Sequence, residues 1–336
     1  MRVISGKYKG RRLVAPETYD IRPTTDKVKE SIFSTVQQEV DGGVVLDLFS
    51  GTGALGIEAL SRGAKKVYFC DCSPKSLDLL VKNLSFCDKK EYELYKGDYA
   101  DCIRLLTSRG VKCDVILCDP PYASGLTAKA MEKIEKGGLL KEGGVLISER
   151  LTDNGETPSP CYVCTDTKKF GKVSYDVFRN YKKCVLTGTF DPFTEGHAFL
   201  VKKALEKFDF VYICILVNPD KEATYSVEKR EKLIRMSLGE YKKRIRIEFY
   251  DGMTVDYCKM RGIKYIIRGV RNEKDAAYEK EMAEYNKKHG DVETVIFDAE
   301  RKDISSTEVK RRVKSGLSIE DMVSDNVISL LKTEDK

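Results

Sequence analysis

The chain has 336 residues, of which 41% are apolar and 33% charged, with a formal net charge of +6. At roughly 100–200 residues per domain, that length predicts two domains, each able to bury its own core. No apolar run approaches the roughly 18–20 residues of a helical membrane span. The opening Met1-Arg2-Val3-Ile4-Ser5-Gly6-Lys7 also lacks the apolar centre of a secretion signal, so a cytoplasmic protein with no membrane partner is expected.

The first thirteen residues carry Arg2, Lys7, Lys9, Arg11 and Arg12 and no acid. Such a cluster attracts a phosphate backbone, but a solvated strand edge guarded by charge has the same composition. From Val44 onwards, short β-rich runs alternate with amphipathic stretches, the pattern of a parallel α/β sheet. Val44 to Phe49 reads as a buried strand and Ala54 to Ser61 as a helix. Val67 to Cys70 is the next strand, and the helix after it places Leu77, Leu80, Val81 and Leu84 on one face. Further strands are expected at Val115 to Cys118 and Val145 to Ile147.

The alternation then restarts. Cys184-Val185-Leu186 reads as a first strand, followed by a Gly-containing turn and a helix with Leu200, Val201, Ala204, Leu205 and Phe208 on one side. Strands are expected at Val211 to Val217, Ile245 to Phe249, Tyr265 to Ile267 and Thr294 to Phe297. The boundary falls near Lys182-Lys183, giving domains 1–182 and 183–336, with no Gly/Ser- or Pro-rich linker between them. The eleven cysteines are scattered, and several lie inside apolar runs, as buried reduced thiols do. Cys161 and Cys164 form the one CxxC pair, and with two histidines in the chain it lacks the remainder of a zinc site.

In the first half, Asp47-Leu48-Phe49-Ser50-Gly51-Thr52-Gly53 joins a strand to a helix, where glycines let the backbone approach a nucleotide. Asp71 ends the second strand, where a carboxylate can accept ribose hydroxyls, and Asp98 follows the third, within reach of an adenine amino group. Asp119-Pro120-Pro121-Tyr122 follows the fourth. Its prolines make a rigid turn rich in acceptors, so that Asp119 and the Pro120 carbonyl can hold an exocyclic amine while Tyr122 stacks on an extruded base.

The runs Ile4 to Leu13, Arg22 to Phe33 and Asp47 to Ala64 closely resemble the RsmD family of bacterial 16S rRNA guanine-N2-methyltransferases, over roughly residues 1–181. The resemblance implies a Rossmann-like class I methyltransferase that uses S-adenosylmethionine, with Asp47, Gly51, Gly53, Asp71 and Asp98 at the cofactor. It implies a catalytic group of Asp119, Pro120 and Tyr122, and contact with 16S rRNA in the small ribosomal subunit through Lys7, Lys9, Arg11, Arg12, Arg22 and Thr24. Where the family usually reads Glu-Lys-Asp after the second strand, this chain has Asp71-Cys72-Ser73. A DNA adenine-N6 methyltransferase would also suit Asp-Pro-Pro-Tyr, although the Arg22 segment argues against it.

In the second half, Thr187 to His197 again joins a strand to a helix and places His197 at a helix N-terminus, where phosphate is favoured. Asn218 to Lys221, Arg268 to Arg271 and the cap Ile304 to Thr307 present further phosphate-binding residue types at strand exits and a helix start. These segments resemble phosphopantetheine adenylyltransferase, the CoaD family of Rossmann-like nucleotidyltransferases, over roughly residues 183–332. Arg268-Gly269-Val270-Arg271 with Asp275, Tyr278-Glu279 and Met282-Ala283 is the most specific match.

That resemblance implies transfer of AMP from ATP to 4′-phosphopantetheine, with His197 and Lys221 at the transferring phosphate. ATP would contact Thr189, Phe190, His197, Gly269, Arg271, Glu279, Ser305, Ser306 and Thr307. The pantetheine phosphate would contact Thr189, Lys221, Thr254 and Arg268. Mg2+ would bind the nucleotide phosphates, with no metal ligand from protein side chains, and a homo-oligomer is implied. Departures lie at Glu222-Ala223-Thr224-Tyr225 and at Glu300-Arg301-Lys302-Asp303. One half retained only as a scaffold or RNA-binding module is the remaining alternative.

Overall fold

The computed structural model describes residues 1–15, 25–121, 125–152, 161–217, 223–299, 301 and 303–332. The chain divides into two compact units, Met1–Tyr181 and Lys182–Lys336.

The first unit has a seven-stranded sheet in the order β3-β2-β1-β4-β5-β7-β6. Its strands are β1 (Val44–Asp47), β2 (Lys66–Asp71), β3 (Tyr92–Lys96), β4 (Cys113–Cys118), β5 (Leu140–Leu151), β6 (Val163–Phe170) and β7 (Val173–Arg179). The first five run parallel, while β7 is antiparallel to both β5 and β6. Its helices are α1 (Asp26–Val40), α2 (Ala54–Ser61), α3 (Pro74–Asn83), α4 (Tyr99–Ser108) and α5 (Leu126–Lys136).

Alternation along the strands divides the core between the two faces. Val45, Val67, Val115 and Val145 pack with Ile32, Phe33, Ile57 and Leu80 from α1, α2 and α3. Leu46, Ile116 and Leu146 pack on the opposite face with Ile103, Leu106, Met131 and Ile134 from α4 and α5. Val81, expected on the apolar face of α3, is 49% exposed. It sits at the rim of that stripe, and the helix ends two residues later at Asn83. β5 is longer than expected because Val145 to Leu151 pairs with Arg179 to Val173 on β7.

The second unit has a fully parallel sheet, β10-β9-β8-β11-β12. Its strands are β8 (Lys183–Gly188), β9 (Phe210–Leu216), β10 (Ile245–Tyr250), β11 (Tyr265–Val270) and β12 (Glu293–Asp298). The helices are α6 (Glu195–Leu205), α7 (Val227–Ser237), α8 (Thr254–Arg261), α9 (Glu273–Gly290), α10 (Ser306–Lys314) and α11 (Asp325–Lys332). The strand order reverses between β8 and β11, so their carboxyl ends flank the crevice where open α/β sheets bind ligands. Leu200, Val201, Ala204, Leu205 and Phe208 pack against Cys184, Leu186, Val211 and Ile213. A smaller core of Leu233, Ile304, Val309, Met322 and Val327 joins α7, α10 and α11. Among the described residues, no helix is long and apolar enough to cross a membrane.

Candidate functional site

In the first unit the turn after β1 is shaped by glycine. Gly51 and Gly53 have φ of 53° and 80°, values that favour residues without a Cβ. A Cβ on Gly53 would also stand 2.3 Å from Leu80 Cδ1, so α3 packs directly on the turn. The Asp71 carboxylate closes it. One oxygen accepts from the Gly51 amide at 2.7 Å and the other from the Ser73 amide at 2.8 Å.

Asp47 is buried beneath, accepting from the Gly56 amide at 2.8 Å. Burial pushes its carboxyl up to about 7, opposed by the Gly56 amide and assisted by nearby Asp71. Asp98 is exposed and caps α4, accepting from the Ala100 amide. The Leu48 amide donates to the Leu117 carbonyl at 3.0 Å, which brings the Gly-rich turn alongside the end of β4. Asp119 and Pro120 therefore stand next to that turn at the carboxyl edge of the sheet. Asp119 is half-buried and Pro120 buried.

The basic N-terminus folds back on itself. Arg2 bridges Arg12, and Val3 and Arg11 pair at 2.9 Å. Val3, Tyr8 and Leu13 anchor this ribbon in the core, and the charges point outward. Arg2 pairs with Asp26 and Lys7 with Glu91. Lys9, Arg11 and Arg12 are exposed and have no carboxylate partner among the described residues. Arg22, Thr24 and Tyr122 lie outside the described residues.

In the second unit His197 occupies the third position of α6 in a capping box with Thr194. Its Nδ1 accepts from the Thr194 amide at 3.0 Å. That bond leaves the proton of the neutral ring on Nε2. The ring packs between Phe190 and Phe193, with centroids 5.1 and 5.3 Å away. Burial lowers its pKa to about 4, with Arg271 adding to the effect.

Phe190 has φ of 48° and its side chain is 1% exposed. Its side chain is therefore enclosed in the core of this unit. Thr189 is exposed beside it at the end of β8. Across the crevice, Arg268 Nη1 donates to the Thr187 carbonyl at 2.9 Å, and its Nε lies 3.4 Å from Glu279. Burial raises the Glu279 carboxyl, against the pull of Arg268. Among the described residues, the buried Arg268 Nε and Thr187 Oγ1 have no hydrogen-bond partner, although Nε remains ion-paired with Glu279.

Gly269 and Arg271 belong to the same strand exit, and Thr254 opens α8 beyond β10. Ser305 caps α10 by accepting from the Glu308 amide, and Ser306 Oγ donates to the Pro192 carbonyl at 2.8 Å. Thr307 is exposed in the first turn of α10. Lys221 lies outside the described residues.

A cavity of about 610 Å³ opens beside the start of α6, lined among others by Gly196, Phe199, Arg301, Ile304 and Asp325. Sequence reading missed Phe199 and Asp325. The first reads as a rim residue of an amphipathic helix, and the second is brought there only by the folding of the C-terminal segment. No group of three or more His, Cys, Asp or Glu side chains that could hold a metal occurs among the described residues.

Residues 1–179 match the family model described as Conserved hypothetical protein 95, and residues 185–312 match the one described as Cytidylyltransferase-like. The chain is 40% identical over 147 residues to the phosphopantetheine adenylyltransferase of Clostridium novyi, covering 43% of this chain and 91% of that protein. The chain belongs to the first of these families and, through its second half, to that of phosphopantetheine adenylyltransferase. It is also 40% identical over 150 residues to Bacillus subtilis YlbH, provisionally named an rRNA methyltransferase, covering 44% of this chain and 82% of that protein. With the ribosomal RNA small subunit methyltransferase D of Escherichia coli, the identity is 28% over 180 residues, covering 53% of this chain and 89% of that protein.

Proposed function

We propose that the chain is a bifunctional cytoplasmic enzyme. Residues 1–182 would methylate a guanine exocyclic N2 in 16S rRNA of the small ribosomal subunit. Residues 183–336 would transfer AMP from ATP to 4′-phosphopantetheine, giving dephospho-CoA and pyrophosphate. The observation that carries this reading is that each unit has its own carboxyl-edge site, and each site lies within a match to a different enzyme family.

The first site suits S-adenosylmethionine, which supplies an electrophilic methyl group. The Gly51–Gly53 turn admits close backbone approach, and Asp71 stands where ribose hydroxyls are held, with Asp98 toward the adenine. Asp119 and the Pro120 carbonyl accept from the guanine amine and aim its lone pair, while Tyr122 stacks on the base. Lys9, Arg11 and Arg12, with Lys7, would contact the RNA backbone, a role that Arg22 and Thr24 would share.

In the second site the nucleophile is an anionic phosphate, so no general base is required. Catalysis is positioning and charge stabilisation. Neutral His197 donates through Nε2 to the transferring phosphate, and Lys221 balances its charge. Thr189, Arg268 and Thr254 hold the pantetheine phosphate. Backbone groups of Phe190 and Gly269, with Arg271, Glu279 and the Ser305-Ser306-Thr307 cap, hold ATP, and bound Mg2+ would supply positive charge to its pyrophosphate. The cavity lined by Gly196, Phe199 and Ile304 is the place for the adenine.

The test is a paired assay on the full chain, with wild type, Asp119→Ala and His197→Ala. Methyl transfer to small ribosomal subunits should disappear only in the first variant, and pantetheine-dependent pyrophosphate release only in the second. Methylation of duplex DNA in preference to ribosomal subunits would refute the first assignment. ATP binding with no pantetheine-dependent release would refute the second.

A further inference from the structure

Asn83, the last residue of α3, is 2% exposed. A buried amide must find partners, and an asparagine offers two donors and one acceptor oxygen. Asn83 Oδ1 accepts from the Val14 amide at 2.7 Å, and Nδ2 donates to the Val14 carbonyl at 3.1 Å. Nδ2 also donates to the Thr52 carbonyl at 2.9 Å. One side chain therefore grips both the end of the basic ribbon and the centre of the Gly-rich turn.

Independent contacts join the same two elements. Thr52 Oγ1 lies 3.8 Å from Met1 Sδ, and the Met1 carbonyl accepts from the Leu13 amide of the ribbon. Glu58, buried on the helix that the turn opens, accepts from the Ile4 and Ser5 amides at 2.8 and 3.1 Å. α3 itself begins just after Asp71 and packs Leu80 on Gly53. The helix is thus a strut from the ribose-facing carboxylate to the ribbon.

We propose that Asn83 is a positioning residue that holds the Gly-rich turn and the basic ribbon in one frame, so that cofactor and RNA favour each other's binding. The proposal rests on the methyltransferase reading of the first unit. Ligand at the turn fixes the Thr52 carbonyl, and through Asn83 fixes Val14. RNA on the ribbon does the same in reverse, and linkage makes the two effects equal.

The experiment measures the affinity of the full chain for S-adenosylhomocysteine with and without saturating small ribosomal subunits, in wild type, Asn83→Asp and Asn83→Leu. Asp keeps an acceptor for Val14 and loses both donors, whereas Leu keeps bulk and loses all three bonds. Wild type should bind the nucleoside about fivefold or more tightly in the presence of subunits. In both variants that ratio should fall to about one, with adenylyl transfer as the folding control. A merely structural role would weaken binding and leave the ratio unchanged, which would overturn the proposal. So would a wild-type ratio of one. Hydrogen exchange supplies a readout that needs no variant, because S-adenosylhomocysteine should slow exchange at Val3, Gly10 and Val14. Binding without that protection would also overturn the coupling, whereas no nucleoside binding at all would remove the methyltransferase reading and the coupling with it.

Discussion

Asp191 and Lys310, 119 residues apart, meet at 2.9 Å in the turn that leads to His197. The same carboxylate accepts from the Thr224 and Tyr225 amides, each at 3.0 Å, and the neighbouring Pro192 carbonyl accepts from Ser306. Asp191 thus joins the His197 turn, the body of α10 and the chain segment that follows Lys221. Burial pushes its carboxyl up, but Lys310 and the two amides outweigh this and hold it below the usual carboxylate range. Its folded pKa is depressed, so its stabilising contribution is complete above the ordinary carboxylate pKa and is lost as pH falls. Lys310→Met should lower kcat/KM for ATP by roughly ten- to a hundredfold through misplacement of these groups, and should move acid unfolding of this unit to higher pH. Lys310→Arg should recover part of both, as measured by pyrophosphate release and circular dichroism.

His197 yields a second pH prediction. Burial holds its pKa at about 4 against an ordinary 6.5. As pH falls from 6.5 towards 4, the unfolded chain takes up a proton that the folded ring refuses, so stability declines through that window. Adenylyl transfer should show no histidine titration near neutrality. His197→Gln should reduce activity by roughly a hundredfold or more. It should also flatten the pH dependence of amide exchange in α6 across the same window.

The features most legible in the sequence were those that local chemistry determines. Gly51 and Gly53 announce a turn, Asp71 and Asp119 fall at strand ends, and Ser305 caps a helix because its side chain has a free amide to accept from. β6 was not anticipated because Thr165 to Lys169 is polar and lies on an edge strand, which needs no apolar alternation. Asn83 was hidden for a different reason. A polar residue at the end of an amphipathic helix reads as solvated, and only the return of Val14 and Thr52 to the same point shows what it holds. Asp191 and Lys310 are equally silent, since their meeting depends on how β8 and α10 are brought together.

Gly6 provides a test of ribbon docking. Its φ is 80°, and a Cβ there would stand 1.8 Å from the Ser61 carbonyl oxygen. That oxygen accepts from the Lys7 amide at 2.7 Å, and Ser61 Oγ accepts from the Tyr8 amide. Gly6→Ala should therefore lift the ribbon from α2, at a cost of about 1–3 kcal/mol from backbone strain alone. Affinity for small ribosomal subunits and methyl transfer should both fall, with adenylyl transfer unchanged. Retention of wild-type subunit affinity would show that the ribbon does not contact RNA.

Asp47 gives the opposite pH dependence to Asp191. Burial raises its carboxyl from 3.8 to about 7, so between those values the folded unit holds a proton that the unfolded chain has released. The contribution to stability is complete below 3.8 and is lost as pH rises through 7. Asp47→Asn retains an oxygen for the Gly56 amide and cannot ionise. Local stability of β1 and α2, read by amide exchange, should decline in wild type as pH rises from 3.8 to about 7 and should stay level in the variant. If Asp47 also faces the positively charged sulfonium of the cofactor, Asp47→Asn should weaken S-adenosylmethionine more than uncharged S-adenosylhomocysteine. The difference should grow above pH 7, where the wild-type carboxylate is ionised. Equal weakening of the two ligands at all pH values would restrict Asp47 to holding the turn through Gly56.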